Sequence, residues 1–370
     1  MKDWTKFDQQ MMKRALSLAR RGRAWVAPNP MVGAVVAKND QIIGEGWHKR
    51  FGSPHAEVIA IQAADNRVKG ADLYVNLEPC SHFGKTPPCA DFIVESGIKR
   101  VVASIIDPNP LVNGRGFERM KEAGIEVEVG LSADKARELN QPYLKKAETG
   151  MTWVTLKIAQ TIDGRIASVT GHSRWITSKA GRRYVHMMRA THDAVLVGAG
   201  TVRADDPMLD VRHVKGRNPI RIALDTNFSI PDDCKLLNTP DTGPTIVFGS
   251  PDDGKLPGWA EYPNVEAVIV PKNNDGLIDL REVLEEISRK KISSLMVEGG
   301  SKIWTAFLEE GIVDKVEMVI APVILGHGIN AIRDLGILKV HDAIRLEPFR
   351  WRKVGTDLHI VARVNHRMDD

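Results

Sequence analysis

His55 and Glu57 stand one residue apart in GSPHAEVIA (52–60), where a polar loop gives way to an apolar stretch with helical spacing. An imidazole can hold a metal ion and a carboxylate can move a proton. A triplet as short as HAE, however, arises by chance in roughly one chain in twenty of this length, and alone it reads as two surface residues. Support must come from elsewhere in the chain. There are three cysteines, Cys80, Cys89 and Cys234, a small odd number that suits a reducing compartment better than a disulfide framework. Cys80 and Cys89 lie nine positions apart, and each follows a proline.

With His55 these two thiols make the set that a catalytic zinc requires: three donors of His and Cys type, and a fourth corner left to solvent. Two thiolates offset the charge of the ion, and such a neutral site still acidifies water. Glu57 then has a task, taking the proton from that water and handing it to a leaving amine. Residues two apart do not share a helix face, so His55 is expected at or just before the helix start. A helix beginning near Cys89 would favour thiolate through its N-terminal dipole. One alternative makes Cys80 and Cys89 small buried hydrophobes. Another is a closed structural site with His82 as fourth ligand. Against both, the order H-A-E, P-C, C follows the signature of zinc nucleobase deaminases, in which the Glu is not a ligand.

The elements that must position these residues show in the hydrophobic pattern. Residues 5–21 carry Met11, Met12, Ala15, Leu16, Leu18 and Ala19 at helical spacing, stopping near Pro28-Asn29-Pro30. MVGAVVA (31–37) and QIIGEGW (41–47) form a hairpin across Lys38-Asn39-Asp40. The helix after HAE is followed by a strand in ADLYVNLEPC (71–80), where Leu73, Val75 and Leu77 alternate, then by a helix in ADFIVESGI (90–98) and a strand in RVVASII (100–106). A further helix and strand reach Val129 and complete a unit rich in βαβ connections.

At 370 residues the chain exceeds the reach of a single core, so two domains of about 150 to 220 residues are expected. The polar segment LNQPYLKKAETG (139–150) marks the change, dividing the chain into 1–147 and 148–370. The second half is also α/β, with strands in WVTLKIA, DAVLVGAG, PIRIALD, PTIVFGS, VEAVIVP, SSLMVEGG and KVEMVIAPVIL and a turn at Asp163-Gly164. Its LVGAGTVRADDP lacks the third glycine of a Rossmann fingerprint and alone reads as a strand ending in a tight turn. SLMVEGGSKIW is stronger, since Gly299-Gly300 before a helix lets backbone N–H groups approach a phosphate. Hydrophobic content of 43%, charged content of 26% and a net charge of +4 from 51 basic and 47 acidic residues describe a globular chain with no bulk signal for nucleic acid or membrane. The polar start MKDWTKFDQQ lacks the apolar core of a signal peptide, and a cytoplasmic location is expected.

APNPMVGAVV (27–36), PHAE (54–57) and LEPCSHFGKTPPC (77–89) closely resemble the bifunctional deaminase–reductase family of riboflavin biosynthesis, and the likeness runs the whole chain. The resemblance implies an α/β protein with an N-terminal cytidine-deaminase-like three-layer domain and a C-terminal dihydrofolate-reductase-like domain. It implies zinc-dependent hydrolytic deamination of a phosphoribosylated diaminopyrimidinone, then NADPH-dependent reduction of the ribosyl group to ribityl. Glu57 would be catalytic, and His55, Cys80 and Cys89 the zinc ligands. Asn29, His48, His82, Lys85 and Thr86 would line the deaminase pocket. Ala159, Trp175, Thr201, Asp205, Thr226 and the run Gly300, Ser301, Lys302, Ile303, Trp304, Thr305 and Ala306 would contact NADPH. Ser173, Arg189, Leu209, Arg212 and Glu298 would contact substrate, with Asp205 a candidate proton donor. The expected partners are the phosphorylated pyrimidine and further copies of the chain, without nucleic acid or membrane. The rival is a nucleic-acid deaminase with a binding module as its second half, which would carry a basic face or interleaved aromatic residues.

Overall fold

The computed structural model describes residues 3–83 and 87–365, and the chain divides into two units, Met1–Gly150 and Met151–Asp370. In the first, Thr5 opens α1 (Lys6–Ala19) with a capping box, its hydroxyl accepting from Asp8 N while the Asp8 carboxylate accepts from Thr5 N. β1 (Gly33–Lys38) and β2 (Gln41–Trp47) pair antiparallel across Asn39 and Asp40, both left-handed at φ 50° and 58°, as a tight hairpin demands. Then follow α2 (Ala56–Ala64), β3 (Asp72–Val75), α3 (Cys89–Glu95), β4 (Arg100–Ala103), α4 (Arg115–Glu122), β5 (Glu126–Val129), α5 (Ala133–Leu139) and α6 (Gln141–Thr149). The five strands lie in the order β2-β1-β3-β4-β5.

Helices cover both faces of this sheet. Ala56, Ala60, Ala90, Ile93, Phe117 and Met120 of α2, α3 and α4 pack on Ala34, Val36, Leu73 and Val101. Met11, Met12, Ala15, Ala136 and Leu144 of α1, α5 and α6 pack on Val35, Tyr74 and Val102. Burial on both faces is why Leu73, Tyr74 and Val75 are all inaccessible and do not alternate; the strand expected over 71–80 pairs only over 72–75. Most of the polar stretch 139–150 is helix. Pro142 sits in the first turn of α6 and Gly150, at φ 75°, ends it, so residues 147 and 148 lie inside a helix.

The second unit comprises β6 (Trp153–Thr161), β7 (Arg165–Ser168), α7 (Lys179–Thr191), β8 (Ala194–Gly198), α8 (Ala199–Asp205), β9 (Ile220–Leu224), α9 (Lys235–Asn238), β10 (Thr245–Gly249), β11 (Val265–Ile269), α10 (Leu280–Arg289), β12 (Ser294–Gly299), α11 (Ser301–Glu309), β13 (Lys315–Ala321), β14 (Gly328–Asn330), β15 (Arg345–Val354) and β16 (Asp357–Asn365). Nine of these strands make one sheet in the order β11-β10-β9-β8-β12-β6-β13-β16-β15, and β14 pairs with β7 apart from it. The strands from β11 to β13 run parallel. Val283, Leu284 and Ile287 of α10 and Trp304 and Phe307 of α11 fill one face. Met188, Val202, Leu236 and Leu237 fill the other. Among the described residues, no helix is long and apolar enough to cross a membrane.

Candidate active sites

α2 lies close against β2 because Gly44 and Gly46 present no side chain to it: a Cβ on Gly46 would stand 2.2 Å from Ala56 O, and one on Gly44 2.1 Å from Ala60 O. His55 is the N-cap of α2, in extended conformation, and its ring makes no capping bond. The ring turns instead to the thiols, with Nδ1 3.1 Å from Cys89 Sγ and 3.5 Å from Cys80 Sγ. Cys89 opens α3, and its N–H points at Cys80 Sγ from 3.4 Å. The three donor atoms lie within 4.8 Å of one another, and His82 is not among them. Donors around tetrahedral zinc stand about 3.5 to 4 Å apart, so this set fits the ion with one corner open.

Hydrogen bonding by Cys89 outweighs burial and, with His55, brings the Cys80 thiol down to about 4, while the same bond pushes Cys89 well up. Cys80 holds His55 up at about 9. A thiolate at Cys80 is the donor state that a divalent metal needs. Beside this group Glu57 is 3% exposed and its Oε2 has no hydrogen-bond partner. Burial pushes its carboxyl up to about 7. A carboxylate oxygen left bare in the interior is costly unless a ligand serves it.

A cavity of about 250 Å³ opens over these groups, lined by Asn29, His48, His55, Glu57, Glu78, Cys80, His82, Asp107, Asn109 and Tyr143 among others. His48 Nδ1 lies 3.2 Å from Pro54 O, which makes it the donor, and Nε2 is then the acceptor for Asn29 Nδ2 at 3.2 Å. The Asn29 carbonyl oxygen is thereby left for an N–H donor in the cavity. His82 Nδ1 is likewise buried and unpartnered. Lys85 and Thr86 lie outside the described residues.

In the second unit the candidate residues gather at the carboxyl ends of parallel strands, where open α/β sheets bind ligands. Ala159 is on β6 near its end; Thr201 and Asp205 are on α8, directly after β8; Thr226 follows β9; and Gly300 to Ala306 follow β12. A Cβ on Gly300 would stand 3.6 Å from Thr201 Oγ1, so the starts of α8 and α11 are neighbours. Gly198 and Gly300 cap these helices without side-chain bonds, and the buried Ser301 Oγ has no partner. Free N–H groups and an orphaned hydroxyl fit the phosphates of a dinucleotide. Lys302 is exposed and Ile303 packs toward Gly198. The Trp304 indole is buried and donates to Val297 O at 3.1 Å. Thr305 Oγ1 is spent on Ser301 O and Arg333 N. Trp175 is 70% exposed, with the Arg182 guanidinium 4.4 Å from its ring centre, and Ser173 lies in the same loop.

Arg189 and Glu298 form a buried fork, Nε to Oε1 at 2.5 Å and Nη2 to Oε2 at 2.7 Å, and Arg189 also donates to Asp210 O. Burial would raise Glu298, but Arg189 and Lys157 hold it at about 2. Arg189 is thus already paired, whereas Arg212, beside Asp210, is half exposed. Leu209 is buried in left-handed conformation at φ 53°.

Residues 5–105 match the family described as the cytidine and deoxycytidylate deaminase zinc-binding region, and residues 152–360 match the RibD C-terminal domain. The riboflavin biosynthesis protein RibD of Aquifex aeolicus is 45% identical over 354 residues, covering 95% of this chain and 97% of that protein. The chain belongs to the RibD family. The solved RibD of Acinetobacter baumannii, form 1, superposes with a TM-score of 0.88 at 37% identity, covering 98% of this chain and 99% of that one. A Thermotoga maritima structure described as a diaminohydroxyphosphoribosylaminopyrimidine deaminase/5-amino-6-(5-phosphoribosylamino)uracil reductase superposes at 0.84 with 36% identity, covering 97% and 99%.

For a RibD-family chain, the sequence reading omits Glu78, Asp107 and Tyr143 from the first cavity and Lys157 from the second site. Lys157 interrupts the apolar run WVTLKIA, and that interruption was its available signal. Burial lowers its ammonium, with Glu298 opposing, and Leu156↔Val297 pairing sets Lys157 and Glu298 on adjacent strands.

Proposed function

We propose that the chain carries out two consecutive reactions: hydrolytic deamination of a phosphoribosylated diaminopyrimidinone by a zinc-dependent part spanning 1–147, and NADPH-dependent reduction of its ribosyl group to ribityl by the part spanning 148–370. The observation that carries the reading is the meeting of His55 Nδ1, Cys80 Sγ and Cys89 Sγ within 4.8 Å beside the orphaned Glu57 oxygen. The division of the chain at Gly150 and Met151 supports two separate catalytic units.

In deamination, His55, Cys80 and Cys89 would hold the zinc, which acidifies water. Glu57 accepts the proton released and delivers it to the departing ammonia. Asn29, its amide fixed by His48, presents an acceptor to the pyrimidine edge, and His82 supplies the free Nδ1. Lys85 would offer a point charge to the substrate phosphate, and Thr86 is a further substrate contact that the family resemblance implies. In reduction, NADPH supplies the hydride to the ring-opened imine of the ribose. The open helix starts at Thr201 and Gly300 orient the dinucleotide, with Ala159, Trp175, Asp205 and Thr226 along the same strand ends. Ser173, Leu209, Arg212 and the Arg189–Glu298 fork face the substrate. The half-buried ammonium of Lys157, close to the Arg189–Glu298 fork, is a better proton source than the exposed Asp205, because a proton held away from water is not lost to it. The balanced charge of the chain supports action without nucleic acid or membrane, and its three free cysteines support a reducing compartment, the cytoplasm. Exposed Phe349 and Trp351 on edge strand β15 support self-association.

The test is Glu57→Gln in the full-length chain. The expected result is zinc retained at the wild-type ratio, deamination slowed by about a thousandfold or more, and reduction of the deaminated compound unchanged. Wild-type deamination by this variant would refute the assignment.

A further inference from the structure

The zinc-binding region matched in this chain ends at residue 105, well before α6 begins. Yet α6 and the residue before it hold two separate stretches of the deaminase cavity lining. Asn140, 2% exposed, accepts from Met31 N through Oδ1 at 2.8 Å and donates Nδ2 to Met31 O at 3.0 Å. Asn76, fully buried, donates to the same Met31 O at 2.9 Å and accepts from Gly33 N at 2.8 Å. Between them these two amides fix the turn that carries Asn29 and Pro30 to the cavity.

One helical turn further, Tyr143 donates its hydroxyl to Asp107, 2.9 Å from Oδ1 and 2.8 Å from Oδ2. The main chain of Asp107 is held as firmly. Glu78 Oε2 accepts from Asp107 N at 3.1 Å and from Gly114 N at 2.9 Å, and Oε1 accepts from Gly116 N at 3.0 Å. Asp107 is 5% exposed and lines the cavity together with Tyr143. Its Oδ1 also accepts from Asn109 N at 2.9 Å, so Oδ2 keeps the greater spare capacity. Burial raises this carboxyl above the ordinary range, so the hydrogen bonds it receives do not offset the loss of water. A carboxylate fixed from two sides, with spare acceptor capacity at Oδ2 and set in a cavity wall, suits a ligand that brings N–H groups. An aminopyrimidine presents such groups along one edge.

We propose that α6 is part of the deaminase site: Tyr143 is a positioning residue that holds the Asp107 carboxylate to accept an N–H of the aminopyrimidine, and Asn140 is a positioning residue for the Asn29 turn. The inference rests on the deaminase reading above. The test is steady-state deamination by the zinc-loaded full-length chain as wild type, Tyr143→Phe, Asp107→Asn and the double variant. Tyr143→Phe is expected to raise KM about tenfold, equivalent to about 1.4 kcal/mol, with kcat within about threefold. Zinc content and reductase kinetics stay at wild-type values. Asp107→Asn raises KM at least as much, and adding Tyr143→Phe to it changes nothing further, because the hydroxyl acts only through that carboxylate. An unaltered KM in Tyr143→Phe, effects that multiply in the double variant, or zinc and reductase activity lost together with affinity would each overturn the proposal. Asp107→Asn, which preserves shape, decides the matter should Tyr143→Phe not accumulate, since an unaltered KM there is equally fatal. A wild type that does not deaminate removes the underlying reading as well; a wild type that deaminates beside an unaltered Tyr143→Phe removes only the role of α6.

Discussion

Glu298 and Arg189 are buried to 8% and 12% side-chain exposure and answer each other's charge through two parallel hydrogen bonds. Removing one member leaves the other charged in the interior, which costs about 3 to 5 kcal/mol, far more than an exposed ion pair is worth. Glu298→Ala is therefore expected to lower the unfolding free energy of the second unit by an amount of that order and to abolish reduction, while deamination persists; chemical denaturation followed alongside both half-reactions checks this. At this scale the sequence was most legible where a residue type has few other uses. A His and two Cys in a fixed order point to a metal, and the structure brings those three together. Asp107 and Tyr143 were not legible, since each is an ordinary residue whose meaning lies in a contact across 36 positions. Trp304, which the resemblance places in the cofactor-binding run, has a buried indole that donates to Val297 O, a contact no residue pattern announces.

Among elements, α1 and the strands beneath it are tied by one charged cluster. Arg100 on β4 donates to Asp8 on α1 at 2.9 Å and to Glu128 on β5, while Tyr74 on β3 donates to Asp8 at 2.8 Å. Burial alone would raise Asp8, but the bonds from Arg100, Thr5 and Tyr74 prevail and bring it from 3.8 to about 2. A carboxyl lowered by folding adds stability that is complete above its unfolded value and is lost as pH falls through its folded value. Asp8→Asn should thus cost the first unit about 2 kcal/mol at neutral pH and flatten its acid limb. That limb runs from pH 3.8 down to about 2, and unfolding midpoints across it provide the measurement. Elements with strong periodicity or turn chemistry, such as α1 and the β1–β2 hairpin, were readable in the sequence. β15 was not, because RLEPFRWRKV is basic, interrupted by Pro348 and exposed along nearly its whole length, so no hydrophobic rhythm marks it. α6 was not read as an element for a related reason: its sequence is polar and carries a proline, and the contacts of Asn140, Tyr143 and Leu144 reveal a packed helix.

For the whole molecule, each unit has its own sheet and its own buried clusters on both faces of that sheet. Two self-contained cores are what a length of 370 residues requires, since one core does not grow to that size. They also imply that the chemistry of one unit does not require the metal of the other. The central claim, that three distant donors hold one zinc on which only the first reaction depends, is tested most directly in a single preparation of the full-length chain. Zinc content and the rates of both half-reactions are measured as purified, after chelation, and after zinc is returned. The account predicts one zinc per chain, deamination lost on chelation and regained with zinc, and reduction unchanged throughout. Deamination that survives in metal-free protein, or reduction that falls and recovers in step with it, would contradict the account.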